Sequence, residues 1–234
     1  MTARQCLLCL IPLAYLVGAI PFGLLVGLAK GVDVRKAGSG NIGATNVGRL
    51  LGKRFFFIVF FLDVLKGLVM MLIAGLFAAR MGGTMLACTL WLTVGLAAIV
   101  GHTASPFLKF KGGKGVSTTV GVVLGVWPYF TITGIIALSV FGIVLMLTRY
   151  MSVGSMAGAV AIPVAYLALA VPLGWDPFGK QLPLLLFAIV VAALIVYRHR
   201  GNIARLRAGT EPRLGARGNS NDEIRNSNQC SNHE

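Results

Sequence analysis

Seven apolar stretches punctuate the chain, at residues 7–29, 55–79, 84–100, 116–126, 129–148, 153–171 and 182–197. Short segments rich in glycine, asparagine and basic residues separate them. A helix needs about 20 apolar residues to cross the roughly 30 Å hydrocarbon core of a bilayer. Six of the stretches approach or exceed that length. The fourth is too short to cross unaided and runs into Trp127-Pro128-Tyr129, a helix breaker flanked by interfacial aromatics. The pattern predicts an all-α integral membrane protein. Either the fourth segment is a short, sunken helix and there are seven transmembrane helices, or it dips back and there are six.

The placement of lysine and arginine decides between these counts. With seven helices and a periplasmic N-terminus, the segments 30–54, 101–115 and 149–152 and the C-terminal tail share one side. Lys30, Arg35, Lys36, Arg49, Lys53 and Arg54 fall there, with Lys109, Lys111, Lys114, Arg149 and seven arginines between Arg198 and Arg225. The other side holds only Arg4, Arg80 and Lys180. Basic residues accumulate in cytoplasmic loops, so the crowded side and the C-terminus are expected in the cytoplasm. Six helices would split the basic loops between both faces. The first stretch is too long for a signal peptide and lacks a small-residue cleavage site, so it reads as a span.

Composition supports lipid as the solvent. Of 234 residues, 56% are hydrophobic and 12% charged, where a soluble domain carries roughly 25% charged residues. The net charge of +14, from 21 Lys+Arg against 7 Asp+Glu, reads as membrane topology and not as nucleic-acid binding. It also suits an anionic substrate or anionic headgroups. Cys6, Cys9, Cys88 and Cys230 lack a second pair at metal-site spacing and read as free thiols. No metal is expected. One membrane-embedded domain over 1–213 is expected, with a polar, disordered cytoplasmic tail over 214–234.

The loops on the basic side carry the candidate chemistry. The first reads Gly38-Ser39-Gly40-Asn41-Ile42-Gly43-Ala44-Thr45-Asn46-Val47-Gly48-Arg49. Its glycines let backbone N–H groups close on an oxyanion, and Arg49 can grip a phosphate with two parallel hydrogen bonds. In the second, His102 precedes Phe107, Phe110 and Lys111-Gly112-Gly113-Lys114-Gly115, which runs directly into an apolar helix. A helix N-terminus beside lysines is an anion site. The nucleotide pattern G-x-x-x-x-G-K-[ST] is absent, because Gly115 follows Lys114. His102 reads as a structural hydrogen-bonder or as a proton-transfer group. The third segment continues the last apolar stretch into an interfacial helix, with His199 and Asn202 three apart on one face. Within the second stretch, Asp63 and Lys66 are also three apart, as expected of a buried pair facing the bundle interior.

Taken together, SGNIGATNVGR, GHTASPFLKFKGGKGV and the His-x-x-Asn-Ile-x-Arg-Leu run resemble the motifs of the bacterial acyl-phosphate:glycerol-3-phosphate acyltransferases, in order and spacing, over residues 10–213. The resemblance implies a seven-helix enzyme of the bacterial inner membrane with its active site at the cytoplasmic face. It implies acyl transfer from acyl phosphate to the 1-hydroxyl of sn-glycerol 3-phosphate, giving lysophosphatidate and inorganic phosphate. That is the first step of bacterial phospholipid synthesis. No cofactor is implied; the partners are the two substrates, membrane lipid and, functionally, the enzyme that forms acyl phosphate. Carried over by position, Ser39, Asn41, Thr45, Arg49 and Lys114 sit where the motifs meet phosphate. Ser152 or Ser155 matches a site serine, and His199 and Asn202 match the pair near the reacting hydroxyl. Ser39, His199 and Asn202 are the catalytic candidates. The chain departs from the H-x-x-x-x-D motif of coenzyme-A-dependent acyltransferases, since position 107 is Phe. The proton acceptor therefore stays open between the donor's phosphate and His199.

Two rival functions fit a basic membrane protein. A transporter of an organophosphate anion would carry inverted repeats and broken helices at mid-membrane. A scaffold for anionic lipids would need the lysines and arginines but not the Ser/Asn/Thr-rich glycine loop.

Overall fold

The computed structural model describes residues 1–215, and among these the only regular elements are helices. In chain order they are α1 (Ala3–Ala19), α2 (Phe22–Leu28), α3 (Ala44–Leu51), α4 (Lys53–Ala79), α5 (Met85–Thr103), a 3-10 turn (Pro106–Leu108), α6 (Val116–Gly125), α7 (Tyr129–Thr148), α8 (Met151–Ala170), α9 (Leu182–Arg198) and α10 (Arg200–Arg207). The expected disordered tail, with Arg217, Arg225 and Cys230, falls outside the described residues from 216 onward.

Every apolar stretch forms helix. By length and composition five segments can cross a membrane, or six if α9 and α10 count as one bent span. The protein is therefore a multi-pass membrane protein. At 1.5 Å per residue, ten-residue α6 is about 15 Å long, half the hydrocarbon core. Side chains on the outer faces confirm the solvent: Leu147 is 80% exposed and Leu76 67%. A row of exposed aliphatics on water would be an aggregation surface, whereas in lipid it is ordinary.

Three local features depart from a simple reading of the stretches. The first is not one continuous helix but breaks at Ile20-Pro21, where proline has no N–H to continue the ladder. The carbonyls released there are taken up from α4 and from the turn after α5: Lys66 Nζ donates to Ile20 O (3.0 Å) and Ser105 Oγ to Ala19 O (2.7 Å). Next, the first glycine loop contains a helix, α3. Finally, α9 and α10 meet at 52° across His199.

Helix α1 packs along α5, α4 along α6, and α7 along α8. Small residues allow the closest of these approaches. A Cβ added at Gly121 of α6 would overlap the Val64 carbonyl oxygen of α4, so the two backbones touch. In the core between α7, α8 and α9, Phe130 meets Tyr166 edge-on and stacks on Phe187, with ring centroids 5.9 and 5.8 Å apart. A second cluster, centred on Val34, Val47 and Val59, holds the first loop and α3 against α4. These packings bring the four basic segments to one end of the bundle.

Candidate active site

At that end a cleft of about 850 Å³, counting the space open to solvent, is lined by Ser39, Asn41, Thr45, Arg49, Lys114, Ser152, Ser155, His199 and Asn202. The nine catalytic and phosphate-binding candidates from the sequence thus line one cavity, drawn from four segments separated by up to 163 positions.

The first wall is built by a side chain acting on the backbone. Asn46, 2% exposed, accepts from the Ser39 N–H (2.8 Å) and donates to the Val34 and Ala37 carbonyls (3.0 and 3.1 Å). It ties the loop into a ring. Asn41 Oδ1 accepts from the Gly43 N–H (2.8 Å), which turns the chain into α3. No side chain caps that helix, so its first N–H groups, around Ala44 and Thr45, face the cleft.

The second wall is the turn Gly112–Gly115. Gly112 N–H and Gly113 N–H donate to the Thr103 and His102 carbonyls (both 3.1 Å). On the opposite side the Arg198 guanidinium donates to the Gly112 carbonyl (2.8 Å) and the Gly113 carbonyl (2.9 and 3.2 Å). Gly115, at φ 85°, caps α6 in the left-handed region that a side chain disfavours. Val116 and Ser117 open α6 into the cleft, so two helix N-termini converge there. Their partial positive charges add to those of Arg49, Lys114 and Arg205.

The third wall hangs on Glu211. Its Oε1 accepts from Ser152 Oγ (2.7 Å) and Asn202 Nδ2 (2.6 Å), and its Oε2 pairs with Arg205 Nε (2.9 Å). Burial works to raise the Glu211 pKa, but these hydrogen bonds outweigh it and hold the carboxyl below its usual range. Ser155 Oγ donates to the Met151 carbonyl one turn back (2.8 Å). Arg49 reaches the segment that carries Glu211, a strap over the cleft, through the Pro212 carbonyl (3.5 Å). His199, 2% exposed, has Nδ1 2.7 Å from the Ile195 carbonyl. A carbonyl accepts only, so Nδ1 carries the proton and Nε2 is the basic nitrogen. Burial lowers the Lys114 pKa to about 8; Glu211 opposes the shift, and Arg205, Arg49 and Arg198 reinforce it.

Arg198, Arg205 and Glu211 were not among the candidates from sequence. A signal for Glu211 was present, as it is the one carboxylate within the arginine-rich stretch 198–213. Nothing local marks Arg198, whose partners lie 85 and 86 positions away.

An apolar groove of about 640 Å³ continues from the cleft between α6, α7 and α8. Phe60, Val116, Phe141 and Ser155 border both spaces, and Leu124, Leu138 and Ile162 line the groove further on.

The fold and the cleft define a multi-pass membrane protein with a cleft rich in basic side chains that continues into an apolar groove. A family model described as glycerol-3-phosphate acyltransferase matches residues 8–209. The glycerol-3-phosphate acyltransferase of Geotalea daltonii is 43% identical over 85% of this chain and 92% of its own. That of Thermus thermophilus is 46% identical over 88% and 94%. Among solved structures, the integral membrane glycerol 3-phosphate acyltransferase PlsY (YgiH), in its glycerol 3-phosphate form, superposes with a TM-score of 0.78 at 40% identity, over 90% of this chain and 96% of that one. The chain belongs to the glycerol-3-phosphate acyltransferase family and is an acyltransferase.

Proposed function

We propose that the protein transfers a fatty acyl group from acyl phosphate to the 1-hydroxyl of sn-glycerol 3-phosphate, releasing lysophosphatidate and inorganic phosphate as the first step of bacterial phospholipid synthesis. The observation that carries this reading is the continuity of a cationic cleft with an apolar groove. An acyl phosphate is anionic at one end and a hydrocarbon at the other, and the joined spaces suit both. The cleft sits at one end of the bundle and not at mid-depth, where a transporter would hold its cargo.

In this reaction the hydroxyl oxygen bonds to the acyl carbon while the bond from that carbon to the phosphate oxygen breaks. The electron pair leaves with the phosphate, and the hydroxyl proton passes to that phosphate or to His199 Nε2. Arg49, Lys114, Ser39, Asn41 and Thr45 bind the phosphates. Asn202, held by Glu211, orients the hydroxyl, and Ser152 or Ser155 lies beside the acyl junction. The mixed anhydride is already activated, so the chemistry needs neither metal nor cofactor. The reading links the protein functionally to the enzyme that makes acyl phosphate.

The test is acyl transfer to labelled glycerol 3-phosphate, with palmitoyl phosphate run beside palmitoyl-coenzyme A. Product is expected from the phosphate donor with little from the thioester, and equal rates would overturn the reading.

The same proposal places the protein in the bacterial inner membrane with seven crossings, α6 being the short one. The N-terminus is then periplasmic, while the C-terminus and the cleft are cytoplasmic. Support comes from the basic residues gathered at the cleft end. In intact cells, an impermeant thiol reagent is expected to label Lys180→Cys and to spare Lys53→Cys. Labelling at position 53 would defeat this topology.

A further inference from the structure

At the base of the cleft, where α1 breaks, three almost fully buried ionisable side chains from two helices meet. Asp63, Lys66 and His102 are 1%, 5% and 4% exposed. Lys66 Nζ lies 2.7 Å from Asp63 Oδ1, 2.9 Å from His102 Nδ1 and 3.0 Å from the Ile20 carbonyl. An ammonium has three protons to donate and no lone pair; here it is hydrogen-bonded to the Ile20 carbonyl and His102 Nδ1, and it meets Asp63 Oδ1 as an ion pair without an aligned hydrogen bond. His102 Nδ1 must therefore accept, which puts the ring proton on Nε2. A buried ion pair of this kind is a poor source of stability, because desolvation offsets its attraction. Its value lies in geometry.

The far edge of the His102 ring supports the phosphate-binding turn. Were Gly113 given a Cβ, that atom would overlap His102 Nε2 and crowd Cε1 (3.0 Å) and Cδ2 (3.1 Å). Gly112 likewise has no room for a side chain above the backbone of His102 and Thr103. The turn thus rests on an imidazole from below and is gripped by the Arg198 guanidinium from the other side. Lys66 holds Nδ1, so the ring cannot swing about its Cβ–Cγ bond without breaking that contact. Lys114 is the next residue along the turn, and both Asp63 and His102 border the cleft.

We propose that the Asp63–Lys66–His102 cluster is the positioning device of the phosphate-binding turn. The ion pair fixes the imidazole, the imidazole sets the height of Gly113, and Gly113 sets where Lys114 presents its ammonium. None of the three is a catalytic residue; they act through the turn. The proposal rests on the reading of the cleft as a phosphate site. It assigns the cluster to binding of a substrate phosphate and not to the chemical step.

The experiment compares steady-state kinetics of two variants with the wild type, alongside thermal midpoints in detergent. In Asp63→Asn/Lys66→Met both charges go together, so neither is stranded in the interior. His102→Asn keeps an acceptor for Lys66 near the Nδ1 position but removes the ring edge under Gly113. Each is expected to raise KM for one of the two phosphate-bearing substrates about fivefold or more, with kcat within about threefold of wild type. If the double variant fails to fold, His102→Asn decides alone. Wild-type KM for both substrates in a folded variant would overturn the proposal, and so would a loss confined to kcat. Absence of acyl transfer in the wild type itself would instead fault the function proposed above.

Discussion

Replacing Lys114 with alanine should lower kcat/KM for glycerol 3-phosphate at least tenfold, equivalent to about 1.4 kcal/mol of transition-state stabilisation. Arg49→Lys should do the same. On the proposed reading the two residues meet phosphate differently. Lys114 is a point charge set just before the N-terminus of α6, where backbone N–H groups reinforce it. Arg49 offers a planar fork that lysine cannot reproduce. Arg207, exposed at the end of α10 and away from the cleft, serves as the control. Arg207→Ala should stay within about threefold, since an exposed charge contributes little. Matched amounts of folded protein must be compared, and near-full activity in Arg49→Lys with none in Arg207→Ala would reverse the assignment. The Lys114 pKa of about 8 adds a pH signature. A lowered lysine pKa means that the cation is present below about pH 8 and lost above it. After correction for donor hydrolysis, kcat/KM should therefore decline as pH rises through 8. Lys114→Arg, whose charge persists, should lack that decline.

Glu211→Leu should be at least as damaging, and it should reduce both stability and activity. The carboxylate is the shared acceptor of Ser152, Asn202 and Arg205. Asn202 and the Ser152 hydroxyl are buried, and each hydrogen bond to a charged group contributes about 1.5–3 kcal/mol. The Arg205 pair is part-exposed and screened, so it adds less. Removing the two buried bonds should cost roughly 3–5 kcal/mol and drop the thermal midpoint by several degrees. It should also cut kcat/KM at least tenfold, because Asn202 loses the group that orients it. Glu211→Gln, which keeps one acceptor oxygen, should fall between wild type and Leu on both measures. Full activity in a folded Glu211→Leu would show that the strap over the cleft is dispensable.

Much of this site is legible in the sequence because its residues cluster within motifs. Ser39 to Arg49 occupy one loop, Lys114 sits in a glycine turn before an apolar helix, and His199 and Asn202 are one helical turn apart. Local spacing suffices for each. The seven apolar stretches are equally plain, since lipid exposes the pattern that a soluble core would conceal. What spacing does not carry is contact at long range. Asp63 and Lys66 read as a pair from their i, i+3 separation, but their third member lies 36 positions beyond Lys66. The Arg198 grip on Gly112 and the Glu211 bond to Ser152, 59 positions apart, belong to the same class. Pro21 lies within a stretch that reads as one span, so the break there comes from the structure. So does its consequence, a carbonyl handed to Lys66.

The apolar groove bears on how a donor would reach the cleft. Leu138, 42% exposed, stands on its rim, so on the acyl-transfer reading the groove admits hydrocarbon sideways from the bilayer. The quantity that governs encounter is then the mole fraction of donor among the surrounding lipids or detergent, and not its amount per litre of buffer. Adding detergent at constant donor and protein dilutes that two-dimensional pool and slows the reaction. Adding water leaves the pool as it was. In the cell the same geometry confines the reaction to the plane in which its product will reside.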